Sequence, residues 1–476
     1  MADKKIPTSI PMDGIYDART LGVPKMLLLG FQHMFAMFGA TVLVPLLTGL
    51  DIATTLLMAG LGTLLFHLIT KGKVPAFLGS SFAFLGGYAS ITGLADTTGL
   101  TQKELLPYAC VGVFTAGLVY LILAGLIKAF GVKKVMRFFP PIVTGPIIIS
   151  IGLSLAGSAK SNCDKNWIIA LVALGIVIAF NIWGKGMCKI IPILLGVVGS
   201  VAIAVILAFA CGQTIEVDGN AFIAMFGNKN FILFEISKIE ALKEAAWIGN
   251  PIVWKETVFG GVDFANRMDL VASAVIGITP IALATMMEHI GDISAISSTT
   301  ERDFITDPGL HRTLMGDGLA TSLASLFGGP ANTTYGENTG VLALSRVYDP
   351  RVIRLAAIFA AVLSFSPKFA ALINLIPTAV IGGISFILYG MISAIGIRNL
   401  VENQIDFSRS RNLIIAAVIL VCALSGVAIP INGTAQITSL AVASIAGIVL
   451  NIIFPKGDYD TRAKDNEAPK GNTYNV

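Results

Sequence analysis

Glu288, His289 and Asp292 stand in ITPIALATMMEHIGDISAIS, a run otherwise free of charge. Glu288 and Asp292 are four residues apart, so on a helix they share one face with about 6 Å between Cβ atoms. Two carboxylates that close in a low-dielectric site do not both ionise easily, and one holds a proton near neutral pH. Such a pair can bind a proton and a polar solute in linked fashion; the plainer reading leaves Asp292 solvated at the helix end. A second acid, Glu337, lies with Asn338 in GGPANTTYGENTGVLALSRVY, among Thr333, Thr334, Gly336 and Gly340. A carboxylate between membrane-buried flanks is costly and is expected to serve function. The alternative is a cap on the helix that follows it. His33, beside Gln32 in GFQHMFAMFGATVLVP, either handles protons or only closes a helix-to-helix hydrogen bond. His67 and His311 fall near span ends and carry no expected role.

The elements that must hold these residues are membrane helices. Of 476 residues, 55% are hydrophobic and 13% charged, against about a quarter charged in a soluble domain. Apolar runs recur from Met26 to Phe454, each of roughly 18 to 25 residues and able to cross about 30 Å of hydrocarbon. This predicts an all-α polytopic membrane protein. Spans are expected near 26–48, 53–70, 78–93, 107–130, 141–158, 166–184 and 190–211. After a polar stretch at 212–267, a second set falls near 269–294, 312–328, 335–347, 351–366, 375–397, 411–427 and 434–454. The polar start, MADKKIPTSIPMDGIYDART, lacks an apolar run with a small-residue cleavage site, so the first span is expected to be the insertion signal.

The balance of 33 basic against 29 acidic residues leaves a charge of +4 with no basic stripe, which argues against nucleic acid. Lipid and a small solute are the expected partners. Five cysteines without C-x-x-C spacing argue against a disulfide framework or zinc site, and no metal or cofactor is expected. The absence of a P-loop, an H-E-x-x-H and a Gly-x-Ser-x-Gly elbow leaves an ATP-driven pump or a hydrolase unsupported. Transport would then run on an ion gradient. Alternate loops carry most Lys and Arg, including Lys128, Lys133, Lys134 and Arg137, while short opposite loops carry only Lys103, Lys160, Lys165 and Lys368. Both termini are therefore expected in the cytoplasm.

Two echoes link the halves. Ser80-Ser81-Phe82, after Pro75 and Gly79, matches Thr333-Thr334-Tyr335, after Gly329 and Pro330; Pro141–Gly145 resembles Pro377–Gly382. Seven spans per half is odd, so the second half would be inverted. Spans three and ten are the shortest and most broken by Gly and Pro, and such a pair is a pointer to a binding site. Backbone outside a helix at that depth must line a cavity or be buried in protein, where its free groups can bond a flat polar ligand.

At these residues the chain resembles the nucleobase-ascorbate transporter family. The matching pieces are Gln32-His33, GSSFAF at 79–84, Glu288, DPGLHR at 307–312 and NTTYGENTG at 332–340; in the span-ten signature only Ser345 departs, standing for Thr. The resemblance covers nearly the whole chain. It implies a 7+7 inverted repeat, with short strands in spans three and ten. A core domain would comprise 26–130 (spans one to four) and 268–366 (eight to eleven). A gate domain would comprise 131–211 and 367–455. Cytoplasmic tails at 1–25 and 456–476 and an extracytoplasmic segment at 212–267 complete the chain.

By the same resemblance, Glu288 and Glu337 would bind a nucleobase, with the backbone of Phe82 and Gly336 on its carbonyl oxygens, Tyr335 packed nearby and Tyr389 closing from the gate. Gln32, Ser81 and Asn338 would support them, and Glu288, Asp292 and His33 would couple protons. Proton symport, elevator-like alternating access, a homodimer through the gate and a bacterial cytoplasmic membrane location are the family's implications. Uracil is the expected substrate because Glu337 is uracil-like where xanthine-type members usually have Gln. Asp292, an acid where uracil carriers can have His, keeps xanthine or uric acid as the alternative. An anion exchanger or channel of similar architecture is the rival from another class, although Glu288 and Glu337 would repel an anion. No nucleophile–base pair or metal cluster suggests an enzyme.

Overall fold

The computed structural model describes residues 14–427, 429–432 and 435–455. The expected tail at 1–25 is described only from residue 14, and the tail at 456–476 lies outside the described residues.

Helix α1 (Val23–Thr48) starts with Pro24 in its first turn and stops at Gly49, whose φ of 84° is left-handed. Proline costs nothing at that start because its missing N–H would be unpaired there anyway. Helix α2 (Ile52–Ile69) is opened by Asp51, which accepts from Thr54 N at 2.7 Å. Strand β1 (Leu78–Ser80) and the short helix α3 (Leu85–Thr92) follow. Helix α4 (Gln102–Phe130) begins with a reciprocal cap between Thr101 and Glu104. Helices α5 (Pro141–Ser154), α6 (Ala156–Cys163), α7 (Trp167–Trp183) and α8 (Pro192–Cys211) complete the first half.

The polar stretch folds as an antiparallel sheet, β2 (Gly212–Val217), β3 (Asn220–Met225) and β4 (Ile232–Glu235), followed by α9 (Ile236–Glu244). Its remainder runs along helix ends: Thr54 Oγ1 donates to Pro251 O at 2.5 Å, Lys103 pairs with Glu256 at 2.7 Å, and Asp263 N donates to Tyr108 OH at 3.1 Å.

The second half holds α10 (Met268–Ile278), α11 (Ala282–Thr300) and α12 (Leu310–Leu326), then strand β5 (Asn332–Thr334) and α13 (Gly336–Ser345). Helices α14 (Pro350–Ser364), α15 (Pro367–Asn374), α16 (Thr378–Glu402) and α17 (Ser410–Leu424) follow. The hairpin β6 (Ile429–Asn432) with β7 (Ala435–Ile437) leads into α18 (Ser439–Ile453).

Among the described residues, seven helices are long and apolar enough to cross a membrane: α1, α2, α4, α5 with α6, α8, α10 with α11, and α16. A further pair, α14 with α15, is bent by 89° at its break. Other expected spans fall on shorter apolar helices such as α7, α17 and α18, or on the strand–helix pieces around β1 and β5. Large apolar side chains point outward, among them Leu68, Ile122, Trp183 and Phe209, which suits a hydrocarbon surround and no aqueous one.

Helix α4 packs against α10 and α12, α2 against α12 and α14, and α16 against α5, α6 and α7. Small residues let these backbones meet: a Cβ on Gly117 would collide with Ser322 and the Gly318 carbonyl, and one on Gly60 would lie 2.5 Å from the Ala357 carbonyl. Close backbone approach is what holds helices together where lipid removes the hydrophobic drive.

Candidate functional site

Strands β1 and β5 pair antiparallel, with Leu78 opposite Thr334, Gly79 opposite Thr333 and Ser80 opposite Asn332. A two-strand ladder this short cannot stand alone, and groups from three helices pin it. From α2, Thr63 Oγ1 donates to Leu78 O at 3.1 Å and accepts from Leu78 N at 2.9 Å. From α12, Thr321 Oγ1 donates to Asn332 O at 2.5 Å, while Asn332 Nδ2 reaches back to Met58 O at 2.9 Å. From α1, Thr41 O accepts from Ser80 Oγ at 3.0 Å. Beyond the ladder, Ser81 N donates to Ala331 O at 2.9 Å and Tyr335 N to Phe77 O at 3.0 Å.

The two chains leaving this crossing bring the expected residues together. Tyr335 is buried, with its hydroxyl donating to Ser80 O at 2.8 Å and accepting from Thr41 Oγ1 at 3.3 Å. Gly336, the first residue of α13, is exposed, and Glu337 and Phe82 are half-buried. Glu288 on α11 is half-buried too, and Glu337 and Asp317 lie within electrostatic reach of it. Neither Glu288 nor Glu337 enters an ion pair among the described residues. Glu337 stands in the first turn of α13, where the helix dipole favours a carboxylate.

Asp292 is not a solvated helix end. Its Oδ2 accepts from Thr334 Oγ1 of β5 at 2.8 Å, and a Cβ on Gly336 would lie 3.8 Å from its Oδ1. His33 is fully buried and faces Asn338: Asn338 Nδ2 donates to His33 O at 3.1 Å and lies 3.2 Å from His33 Nδ1. It thus ties α1 to α13. Ser81 is buried with its hydroxyl unpartnered, and Gln32 is half-buried. Tyr389 is buried on α16, its carbonyl beside Gly152 of α5, which places it in a different helical layer. It makes no hydrogen bond to either glutamate among the described residues.

Sequence reasoning missed Asp317. It sits on α12, fully buried, with its Oδ2 3.4 Å from His289 Nδ1 and Tyr120 beside it. His289 Nδ1 is also 3.5 Å from Thr334 Oγ1, so Asp317, His289, Thr334 and Asp292 form one polar line behind the crossing. The signal was present, since Asp317 is a lone acid in LHRTLMGDGLATSLASL, and the cost argument that singled out Glu288 applies to it. Chemically, the site offers carboxylates on two facing helices, free backbone at two strand ends and the N-terminus of α13. Such a set can accept ring N–H groups and donate to ring carbonyls.

Comparisons with known proteins identify the family. The model of a permease family, the nucleobase-ascorbate transporters, matches residues 24–432. The uracil permease of Bacillus caldolyticus is 40% identical over 454 residues, covering 94% of this chain and 95% of the relative. The uracil permease of Escherichia coli K12 is 37% identical, covering 90% of each. Among solved structures, the transmembrane domain of the cyanobacterial bicarbonate transporter BicA superposes with a TM-score of 0.61 at 15% identity, covering 92% of this chain and 99% of that one. SLC26A9 superposes at 0.60 and 12% identity, covering 92% of this chain and 66% of its own. At those identities the likeness is one of fold. The chain is a multi-pass membrane protein and a transporter in kind, and it belongs to the nucleobase-ascorbate transporter family.

Proposed function

We propose that the protein imports uracil by proton symport across the bacterial cytoplasmic membrane, with both termini in the cytoplasm. The observation that carries this is the convergence of Glu288 and Glu337 on the β1–β5 crossing, in a chain 40% identical to a uracil permease. Glu288 accepts a ring N–H, Glu337 holds the opposite edge, and the backbone at Phe82 and Gly336 meets the carbonyl oxygens. Protons load at Glu288 and Asp292, with His33 in the coupled set. The chain is read as fourteen spans in two inverted halves. The core, spans one to four and eight to eleven, slides against the gate in the manner of an elevator, and the gate joins two copies.

A second substrate, xanthine or uric acid, is favoured by one observation: Asp292 is an acid bonded into the site through Thr334. An anion exchanger is disfavoured because the carboxylates facing the crossing would repel its cargo.

Uptake of labelled uracil into proteoliposomes under an imposed pH gradient decides among these, with unlabelled xanthine as competitor. Uptake that follows the gradient, ignores xanthine and is lost in Glu288→Gln supports the uracil symporter. Strong competition by xanthine with little uracil entry transfers the assignment to the purine. Uptake that Glu288→Gln leaves intact removes the site.

A further inference from the structure

The helices that carry the paired carboxylates end close together, and one short segment touches both ends. Helix α11 stops at Thr300, twelve residues or about 18 Å beyond Glu288, and α13 stops at Ser345, eight residues or about 12 Å beyond Glu337. Each ends on a non-glycine residue in the left-handed region, Glu301 at φ 55° and Arg346 at φ 53°. The chain ahead of α1 runs across both.

Ile15 forms a parallel bridge with Val347: Ile15 N donates to Arg346 O and Tyr348 N donates to Ile15 O, each at 2.8 Å. The next residue turns the other way. Tyr16 OH donates to Thr300 O at 2.8 Å, the Arg302 guanidinium lies 4.2 Å over its ring, and the Tyr348 ring is 5.4 Å away on the α13 side. Asp17 then accepts from Arg351 Nη1 at 2.9 Å, and Ala18 N donates to Asp349 Oδ2 at 2.7 Å, which anchors the segment to the start of α14. Ala18, Val347 and Val352 close a small apolar cluster beneath these bonds, with Ile15, Leu21, Met26 and Leu29 packed against it.

We propose that residues 14–19 act as a clasp that fixes the separation of α11 and α13, and with it the separation of Glu288 and Glu337, with Tyr16 as the positioning residue. The inference rests on the reading that these two carboxylates share one substrate. Its mechanical basis stands apart from that reading. Helix α13 is ten residues long and is held at its start by β5. A helix so short lacks the internal cooperativity to fix its own far end. The tie at Arg346–Tyr348 supplies the second point, and Tyr16 relates that point to α11. The segment continues into α1, whose His33 bonds Asn338, so α13 is referred twice to the same piece of chain.

Two measurements on the full-length protein in nanodiscs test this. The first is the distance between spin labels at Ala295→Cys on α11 and Leu344→Cys on α13, both exposed, in a background without the accessible Cys188, Cys211 and Cys422. The second is the equilibrium binding of uracil. Tyr16→Ala should broaden a narrow distance distribution and weaken binding about tenfold. Tyr16→Phe, which keeps both ring contacts and loses only the bond to Thr300, should fall between it and wild type and report even where Tyr16→Ala fails to fold. Unchanged distances and affinity in both variants overturn the clasp and leave the substrate assignment standing. A distribution that broadens in a protein whose wild type binds no uracil upholds the clasp and removes the substrate assignment.

Discussion

Asp317 buries its carboxylate 3.4 Å from the His289 imidazole, with Tyr120 beside it and no lysine or arginine paired to it among the described residues. A group in that condition costs of order 1–3 kcal/mol unless the site uses it, and a membrane protein that carries such an acid does so for a reason. Asp317→Asn keeps the shape and an acceptor but removes the charge facing His289. Gradient-driven uptake should fall by about tenfold or more, while heat denaturation stays within a few degrees of wild type. Normal uptake in Asp317→Asn would make the residue a structural relic. Of the candidate residues, Glu288, Glu337, His33 and Asn338 were legible because a polar side chain in an apolar run stands out. Asp317 was equally conspicuous by type but stood beside glycines with no second acid at helical spacing. What no spacing shows is that Asp292 is bound by a threonine 42 positions later, because that contact exists only once β5 is pinned beside α11.

At the scale of elements, the β1–β5 crossing depends on a glycine in the helix beneath it. A Cβ on Gly62 would overlap Asn332 Nδ2 and lie 3.2 Å from Ala320 Cβ. Asn332 is the residue that ties β5 to α2 through Met58 O. Gly62→Ala should therefore destabilise the protein by about 1–3 kcal/mol through overpacking. It should also cost uracil affinity, which calorimetric titration beside thermal melting would register; full affinity would mean that the ladder does not set the site.

The clasp carries its own expectation with pH. Arg19, first through its side-chain hydrogen bond, and Arg351 hold the Asp17 carboxyl below the usual carboxylate range, with Asp349 beside Arg351. A lowered value means that the contribution is present above the ordinary carboxylate range and is lost only as pH falls through the lowered value. Label distances across α11 and α13 should stay fixed from about pH 8 to about pH 5, so a change of uptake in that window belongs to other groups. The breaks in spans three and ten and the half-helix after each were readable from Gly, Pro and hydroxyl patterns, the strands only through the family resemblance. The clasp was not, since a parallel bridge between residue 15 and residue 347 leaves no local periodicity.

For the whole molecule, composition alone gave the membrane class, and the seven long apolar helices agree with it. The division into a moving core and a fixed gate is a statement about relative motion, and a reversible lock can test it. Helix α1, assigned to the core, meets α8, assigned to the gate, where a Cβ on Gly39 would lie 3.2 Å from Ile193 Cβ. That separation is a few tenths of an ångström short of the roughly 3.5–4.5 Å between Cβ atoms across a disulfide, a gap that a small backbone shift closes, and cysteine at 193 removes the Ile193 Cγ2 that would lie 2.8 Å from the new Cβ. A Gly39→Cys, Ile193→Cys protein, freed of its accessible cysteines, should oxidise to a cross-link that leaves uracil binding within about threefold of the reduced form. If the proposed elevator holds, the cross-link joins two layers that slide past each other, and uptake should stop on oxidation and return on reduction. Loss of binding together with uptake would mean that the lock distorts the site. Undiminished uptake in the fully oxidised protein would show that α1 and α8 move as one body, and the elevator division would then have to be drawn along another seam.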